Sequence, residues 1–306
     1  IASDNANQVI GVMAHETGHI AGGHLIRSTR ALKNASASTI LGYILGGAAV
    51  IAGRPDVGAA VLSGSQNAAI RTYLKFSRTQ ESAADRAAVR YLDQTRQSSS
   101  GMLAFMKTLG EQELLSVSRQ DAYVRTHPLT RDRIGFLEHH VSRSRFTNVP
   151  TPEKFKKAHA RMVAKLRAFT QRKRRTFRNY PESDTSLPAR YARAIAYFRS
   201  AGTEKALGIM SALIAEKPSD PYFHELKGQI LFENGRIGEA IPAYQKAVEL
   251  LPGSALIMTD LAKAQIEIND PEMRNRAIRH LNVAIELEPK RPFTWRLLAT
   301  AEGKNG

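Results

Sequence analysis

The 306-residue chain is 42% hydrophobic and 24% charged, and it contains no cysteine. Disulfides, thiolate metal sites and a cysteine nucleophile are thereby excluded, and a soluble, globular chain long enough for two domains is expected. A formal net charge of +16 favours anionic partners: nucleic acid, an anionic membrane surface or acidic proteins.

The chain opens on Ile1, with no basic n-region and apolar core behind it, as expected of a mature or truncated fragment. Ser3 and Asp4 are candidate caps for a first helix running to about Thr29. Within it, "VMAHETGHIAGGHL" places three histidines and one glutamate between His15 and His24. Positions i and i+4 share a helix face, so His15 and His19 present two imidazoles to one ion. Glu16 projects beside them, where a carboxylate accepts a proton from a metal-activated water. His24 lies half a turn around the helix from His15. It is therefore expected in a supporting or packing role, unless the helix ends first at Gly22 and Gly23. Gly11, Gly18, Gly22 and Gly23 each cost a helix about 1 kcal/mol relative to alanine, which implies that another element packs very closely here.

Next comes "TILGYILGGAAVIA", fourteen apolar or small residues from Thr39 to Ala52, followed by "GRPD" and "VGAAVLSG". The run is shorter than the roughly 18 residues of a membrane span. A helical hairpin is expected, either buried in the core, touching a membrane or covering a substrate. Ser77 and Gln80 form a capping-box pattern ahead of "ESAADRAAVRYLDQ". Glu81 and Asp85 share one face of that helix. An open catalytic metal site needs a third protein ligand, which Glu81 can supply. Asp85 can accept a hydrogen bond from the outer nitrogen of a ligand histidine and so fix its tautomer. Another helix is expected to start at Ser99–Gly101 and to carry "GMLAFMKTLGEQE". No strand alternation is evident in residues 1–145.

Residues 151–180 hold eleven Lys/Arg against one acid, Glu153. Phe155, His159, Met162, Val163, Leu166 and Phe169 recur at helical spacing, which reads as an amphipathic connecting helix with a solvated basic face. From Leu187 a period near 34 appears. Ala206, Met210 and Pro218 recur as Ala240, Tyr244 and Pro252, and again as Ala277, Leu281 and Pro289 after a three-residue insertion. Ala194 and Tyr197 recur as Gly228 and Leu231, then as Ala262 and Gln265. Trp295, Leu298 and Ala299 begin a fourth pair. Small residues at fixed places let paired helices approach, and each proline ends a second helix. The pattern resembles the tetratricopeptide repeat, whose concave groove suits peptides.

Taken together, "HETGH", "ESAADRAAVRYL" and "THPLTRDRI" resemble the zinc peptidases that include the HtpX-like membrane proteases and the CAAX prenyl endopeptidases. The added repeats narrow the resemblance to the bacterial periplasmic BepA-like branch, which is associated with outer-membrane protein quality control. The peptidase motifs cover residues 9–140, and the repeats cover most of the remainder. The resemblance implies one Zn2+ per chain, bound by His15, His19 and Glu81, with Glu16 as general base. The family's "HP…R" element falls on His127, Pro128 and Arg133, which puts His127 near the metal and gives Arg133 a part in building the site. His127 can donate to the oxyanion of the tetrahedral intermediate, or it can occupy the fourth metal position and hold the enzyme idle. Arg133 either helps to build the site or makes a structural salt bridge.

The expected architecture is mainly α. A helical gluzincin-type HExxH metallopeptidase domain (1–145) leads through a basic linker helix (146–186) to a tetratricopeptide-repeat solenoid (187–306). The expected function is hydrolysis of peptide bonds in the periplasm, on polypeptide substrates, with protein partners in the repeat groove and anionic membrane surface as a further contact. Nucleic acid is not expected, because no recognition motif accompanies the charge. The competing reading is a silent or restrained repeat adaptor or chaperone for envelope protein assembly. Members of the family carry a segment with an edge strand upstream of the HExxH helix. Fourteen residues precede His15, so this chain is expected to be N-terminally truncated, which bears on its activity.

Overall fold

The computed structural model describes residues 3–51, 54–113, 127, 129–268 and 270–304, and every regular element among them is an α-helix. The mainly α class follows from hydrophobic periods near 3.6 residues. Two compact units form, Ile1–His159 and Ala160–Gly306.

In the first unit, α1 (Ala6–Ala21) starts at Asn5, whose side chain accepts a hydrogen bond from the Gln8 amide. The expected caps stand aside: Asp4 instead exchanges hydrogen bonds with the Gln8 side chain. The helix also stops well short of Thr29. Gly22 closes it, Gly23 takes φ of +60°, and α2 (His24–Ile51) begins afresh. Glycine alone enters that backbone region without steric cost, so the glycine pair is a break.

α2 packs antiparallel to α3 (Pro55–Gln94). The 40-residue α3 runs straight through Ser77, so the capping-box pattern there is not a helix start. No Gly or Pro occurs between Ser65 and Gln94 to interrupt it. Gln80 points across the hairpin instead, donating to the His24 carbonyl and accepting from the Ser28 hydroxyl. The hairpin expected at residues 39–64 is present, but it is not a buried core element: Ile40, Leu41 and Ile44 are 59%, 56% and 62% exposed. α4 (Ser100–Glu113) starts within the expected Ser99–Gly101 stretch, and Thr130 caps α5 (Arg131–Arg143). Ala88, Val89, Leu92, Met102, Met106 and Leu137 make the core among α3, α4 and α5, with Ile10 and Ala14 of α1 laid against it.

The boundary between the units falls inside α6 (Glu153–Thr170), within the segment expected to link the domains. Its buried face differs from the expected one. Val163, Ala164 and Ala168 are inside, whereas Met162 and Leu166 are 38% and 42% exposed. Ala164 and Ala168 join the repeat core beside Tyr191 and Ile195, so this end of the helix is a packed element rather than a solvated linker. Two alanines one turn apart admit a neighbouring helix more closely than the longer side chains do.

After the short α7 (Lys173–Asn179), helices pair as the 34-residue period requires. The pairs are α8 (Leu187–Phe198) with α9 (Thr203–Glu216), α10 (Pro221–Glu233) with α11 (Ile237–Leu250), and α12 (Ala255–Glu267) with α13 (Pro271–Leu287). α14 (Pro292–Gly303) follows. Ala206, Ala240 and Ala277 are fully buried, as are Met210 and Leu281 at the neighbouring repeat position. Gly228 faces the ring of Tyr244 so closely that a β-carbon would come within 2.8 Å of it.

Asp260, on α12, is pushed up to about 6, first by burial and then by the charge of Glu225. An acid with a raised folded-state pKa destabilises the fold once ionised. The penalty is absent below the unfolded value near 4 and fully present above about 6. Asp260→Asn should therefore raise stability by about 1–2 kcal/mol at neutral pH and leave it unchanged near pH 4. Urea unfolding followed at Trp295, the single tryptophan of the chain, checks this in the repeat unit.

Candidate metal centre

The site is built on close helix approach. A β-carbon on Gly18 would lie 2.8 Å from the Ala84 carbonyl oxygen, and one on Gly11 would lie 2.6 Å from the Met102 β-carbon. Two of the glycines that weaken α1 thus let its backbone rest on α3 and α4. That contact carries His15 and His19, one turn apart on α1, onto Glu81 and Asp85, one turn apart on α3.

His15 Nε2 and His19 Nε2 stand 3.0 Å apart. Each is 3.3 Å from an oxygen of Glu81. His127 Nδ1 completes the group at 3.2 Å from Glu81 Oε1. His15, His19, Glu81 and His127 each offer one ligand atom, all within 4.8 Å of one another. Bonds of about 2.0–2.1 Å to a tetrahedral ion place ligand atoms roughly 3.3 Å apart, so the spacing and the N/O donor set fit a four-coordinate metal.

The surrounding contacts prepare these atoms. His15 Nδ1 lies 2.8 Å from Asp85 Oδ1, which puts the imidazole proton on that side and leaves Nε2 with a lone pair facing the site. Arg133, 3% exposed, donates through Nε and Nη2 to Asp85 at 2.6 and 2.9 Å, and its Nη1 reaches Glu81 at 3.0 Å. Burial pushes the Glu81 carboxyl up, but hydrogen bonds from His127, His15 and His19 and the Arg133 charge outweigh it and hold the group well below the usual carboxylate range. Asp85 behaves alike: burial raises it, and the hydrogen bonds from Arg133 and His15 bring it down. For His15, burial lowers the pKa, but Asp85 and Glu81 raise it further than burial lowers it.

Glu16, the residue after His15, sits at the edge of the group with Oε1 3.7 Å from His127 Nε2. An open cleft lies over this edge, lined by Glu16, His19, Ile20, Phe76 and His127. The residues singled out in the sequence therefore converge: His15, Glu16, His19, Glu81, Asp85, His127 and Arg133 all lie at one place. Pro128 lies outside the described residues. His24 is outside the ligand group although the helix ends before it, and it is not remote. The break at Gly22–Gly23 folds its ring back to place Nδ1 2.9 Å from His19 Nδ1, within hydrogen-bond distance. Gln80, which holds the His24 carbonyl, carries no sequence signal for this role.

Residues 2–141 match the peptidase family M48, and residues 191–255 match the tetratricopeptide repeat. Over 99% of its length the chain is 23% identical to a beta-barrel assembly-enhancing protease of Yersinia pestis. Over 98% it is 26% identical to the protein of that name from Escherichia coli K12. It spans 62% and 61% of the length of these two relatives. A solved tetratricopeptide repeat protein from Parabacteroides merdae aligns over 87% of this chain and 99% of its own, with 14% identity and a TM-score of 0.42.

The spacing of His15, His19 and Glu81 depends on the α1–α3 contact. Gly18→Val should lower metal affinity by about ten-fold or more, because the added atoms push α1 off Ala84 while the chain stays helical. Chelator competition read alongside circular dichroism checks this.

Proposed function

We propose that the chain is a zinc-dependent endopeptidase of the bacterial envelope, acting in the periplasm on polypeptides of outer-membrane protein assembly and quality control. One observation carries the reading: two histidine nitrogens and a buried carboxylate from separate helices converge at tetrahedral spacing inside an M48 domain, with Glu16 at the open edge. Relatives named as beta-barrel assembly-enhancing proteases support both the hydrolytic activity and the envelope setting.

In this reading His15, His19 and Glu81 hold the ion. Bound there, zinc supplies Lewis acidity and lowers the pKa of water to about 7. Glu16 takes a proton from the attacking water and carries it to the leaving amine, a transfer worth about 10²–10⁴-fold. Asp85 and His24 orient the two imidazoles from behind, and Arg133 keeps Glu81 and Asp85 ionised and in place. His127 closes the fourth position in this conformation, so an extended substrate enters only as that ring swings away. The repeats recruit protein substrates or partners along their groove. An intact set of His15, Glu16, His19 and Glu81 argues against a silent adaptor.

Glu16→Gln should retain zinc and lose proteolysis of an unfolded substrate by about 10²-fold or more. Equal activity with equal zinc content would remove Glu16 from the mechanism. His127→Ala should raise proteolysis with zinc retained. A fall in activity instead would assign His127 to oxyanion stabilisation.

A further inference from the structure

The α2–α3 hairpin is packed inside out. Its inner seam is made of small residues. A β-carbon on Gly42 would lie 2.0 Å from Ser65 Oγ, one on Gly46 would lie 2.8 Å from Leu62 Cγ and 3.0 Å from the Gly58 carbonyl oxygen, and one on Gly58 would lie 2.7 Å from the Gly46 oxygen. Gly42 and Gly46 are four residues apart on one face, the spacing that lets helices in lipid touch backbone to backbone. The large aliphatic side chains stand outside. Ile40, Leu41, Ile44 and Ile51 are 59%, 56%, 62% and 90% exposed, and they share the face of α2 turned away from α3. In water that arrangement forgoes the burial of side chains that normally drives helix packing.

The two outer faces differ. On α3 the side away from α2 is mixed, with exposed Ser63, Asn67 and Arg71 beside exposed Ile70 and Leu74. On α2 the outer face is aliphatic from exposed Lys33 to the helix end at Ile51, and exposed Arg54 caps α3 just beyond it. From His24 to Gln80 the sequence has seven Lys/Arg against one acid, Asp56. No helix among the described residues is long and apolar enough to cross a membrane. A continuous aliphatic flank with basic ends, opposite a mixed and more polar flank, is the form of an interfacial element, which lies in the bilayer surface with its cations at the headgroups.

We propose that the outer face of α2 is a membrane-contact surface that lies in the headgroup–acyl boundary of an anionic phospholipid bilayer, with α3 turned to water. The charge selects lipid over a second copy of the chain, since two such cationic hairpins repel each other whereas anionic headgroups attract them.

Co-sedimentation of the full chain with phosphatidylcholine vesicles, with and without phosphatidylglycerol, tests this. Binding should require phosphatidylglycerol, weaken with salt, and fall by about a hundred-fold in Leu41→Ser/Ile44→Ser/Ile51→Ser, since each side chain contributes apolar transfer energy. These positions are exposed, so the variant should keep the wild-type circular dichroism. Depth is read separately. In Trp295→Phe/Ile44→Trp, acyl-brominated lipid should quench the single tryptophan. Binding that survives the triple serine substitution, or that occurs without quenching, would mean a charge contact elsewhere and would overturn the proposal. So would absence of binding, or a dimer that the serine substitutions dissolve.

Discussion

Two carboxylates one helical turn apart, Glu81 and Asp85, are 3% and 1% exposed, and the candidate site is arranged around them. Burying an anion costs several kcal/mol even after relaxation unless its charge and lone pairs are met. Arg133 meets much of that demand, with a fork on Asp85 and its remaining nitrogen on Glu81. It can do so only because α5 is anchored through fully buried Leu137. One guanidinium against two carboxylates still leaves a negative charge beneath two imidazole nitrogens. That residual negative charge favours a cation among these side chains, so the electrostatics of folding and of the candidate metal site are one problem.

Small residues set how close helices come throughout the chain, with different results. Gly18 against Ala84 brings His15 and His19 into register with Glu81 on the next helix. Gly228 against the Tyr244 ring lets a repeat pair close. Gly42, Gly46 and Gly58 zip the α2–α3 hairpin and leave its aliphatic side chains outside. Each glycine weakens its own helix by about 1 kcal/mol, a loss that is offset where a neighbour's backbone or ring fills the space. The hairpin is the exception among the three. Among the described residues its outer aliphatic side chains are exposed, and this sets it apart from the buried core.

Much of the site was legible from residue spacing. His15 and His19 at i and i+4, and Glu81 and Asp85 at i and i+4, each define a face, and the structure brings those faces together. The 34-residue period likewise marked the repeat positions that are buried, Ala206, Ala240 and Ala277 among them. Less legible were features that depend on what a side chain finds across a gap. Ser77 and Gln80 look like a capping box, but Gln80 finds the His24 carbonyl and the helix continues. Met162 and Leu166 look like the buried stripe of α6, but the close neighbour sits over Ala164 and Ala168 instead. His24 sits on the far side of an ideal helix from His15, and the break at Gly22–Gly23 returns its ring to His19.

What the sequence by itself determined is periodic and local: helix faces, repeat positions, the pairing of two ligand histidines, and the presence of an apolar run too short to cross a membrane. Those follow from 3.6 residues per turn and from side-chain type, which act within a few residues of chain. Tertiary structure alone decided which faces meet. It placed Arg133 under both carboxylates, set His127 within ligand distance of Glu81, and turned the hairpin's aliphatic side outward. The Arg133 and His127 contacts span 46 to 52 residues of chain, and their energies depend on burial and on distances of a few ångströms, quantities that exist only once the helices have packed.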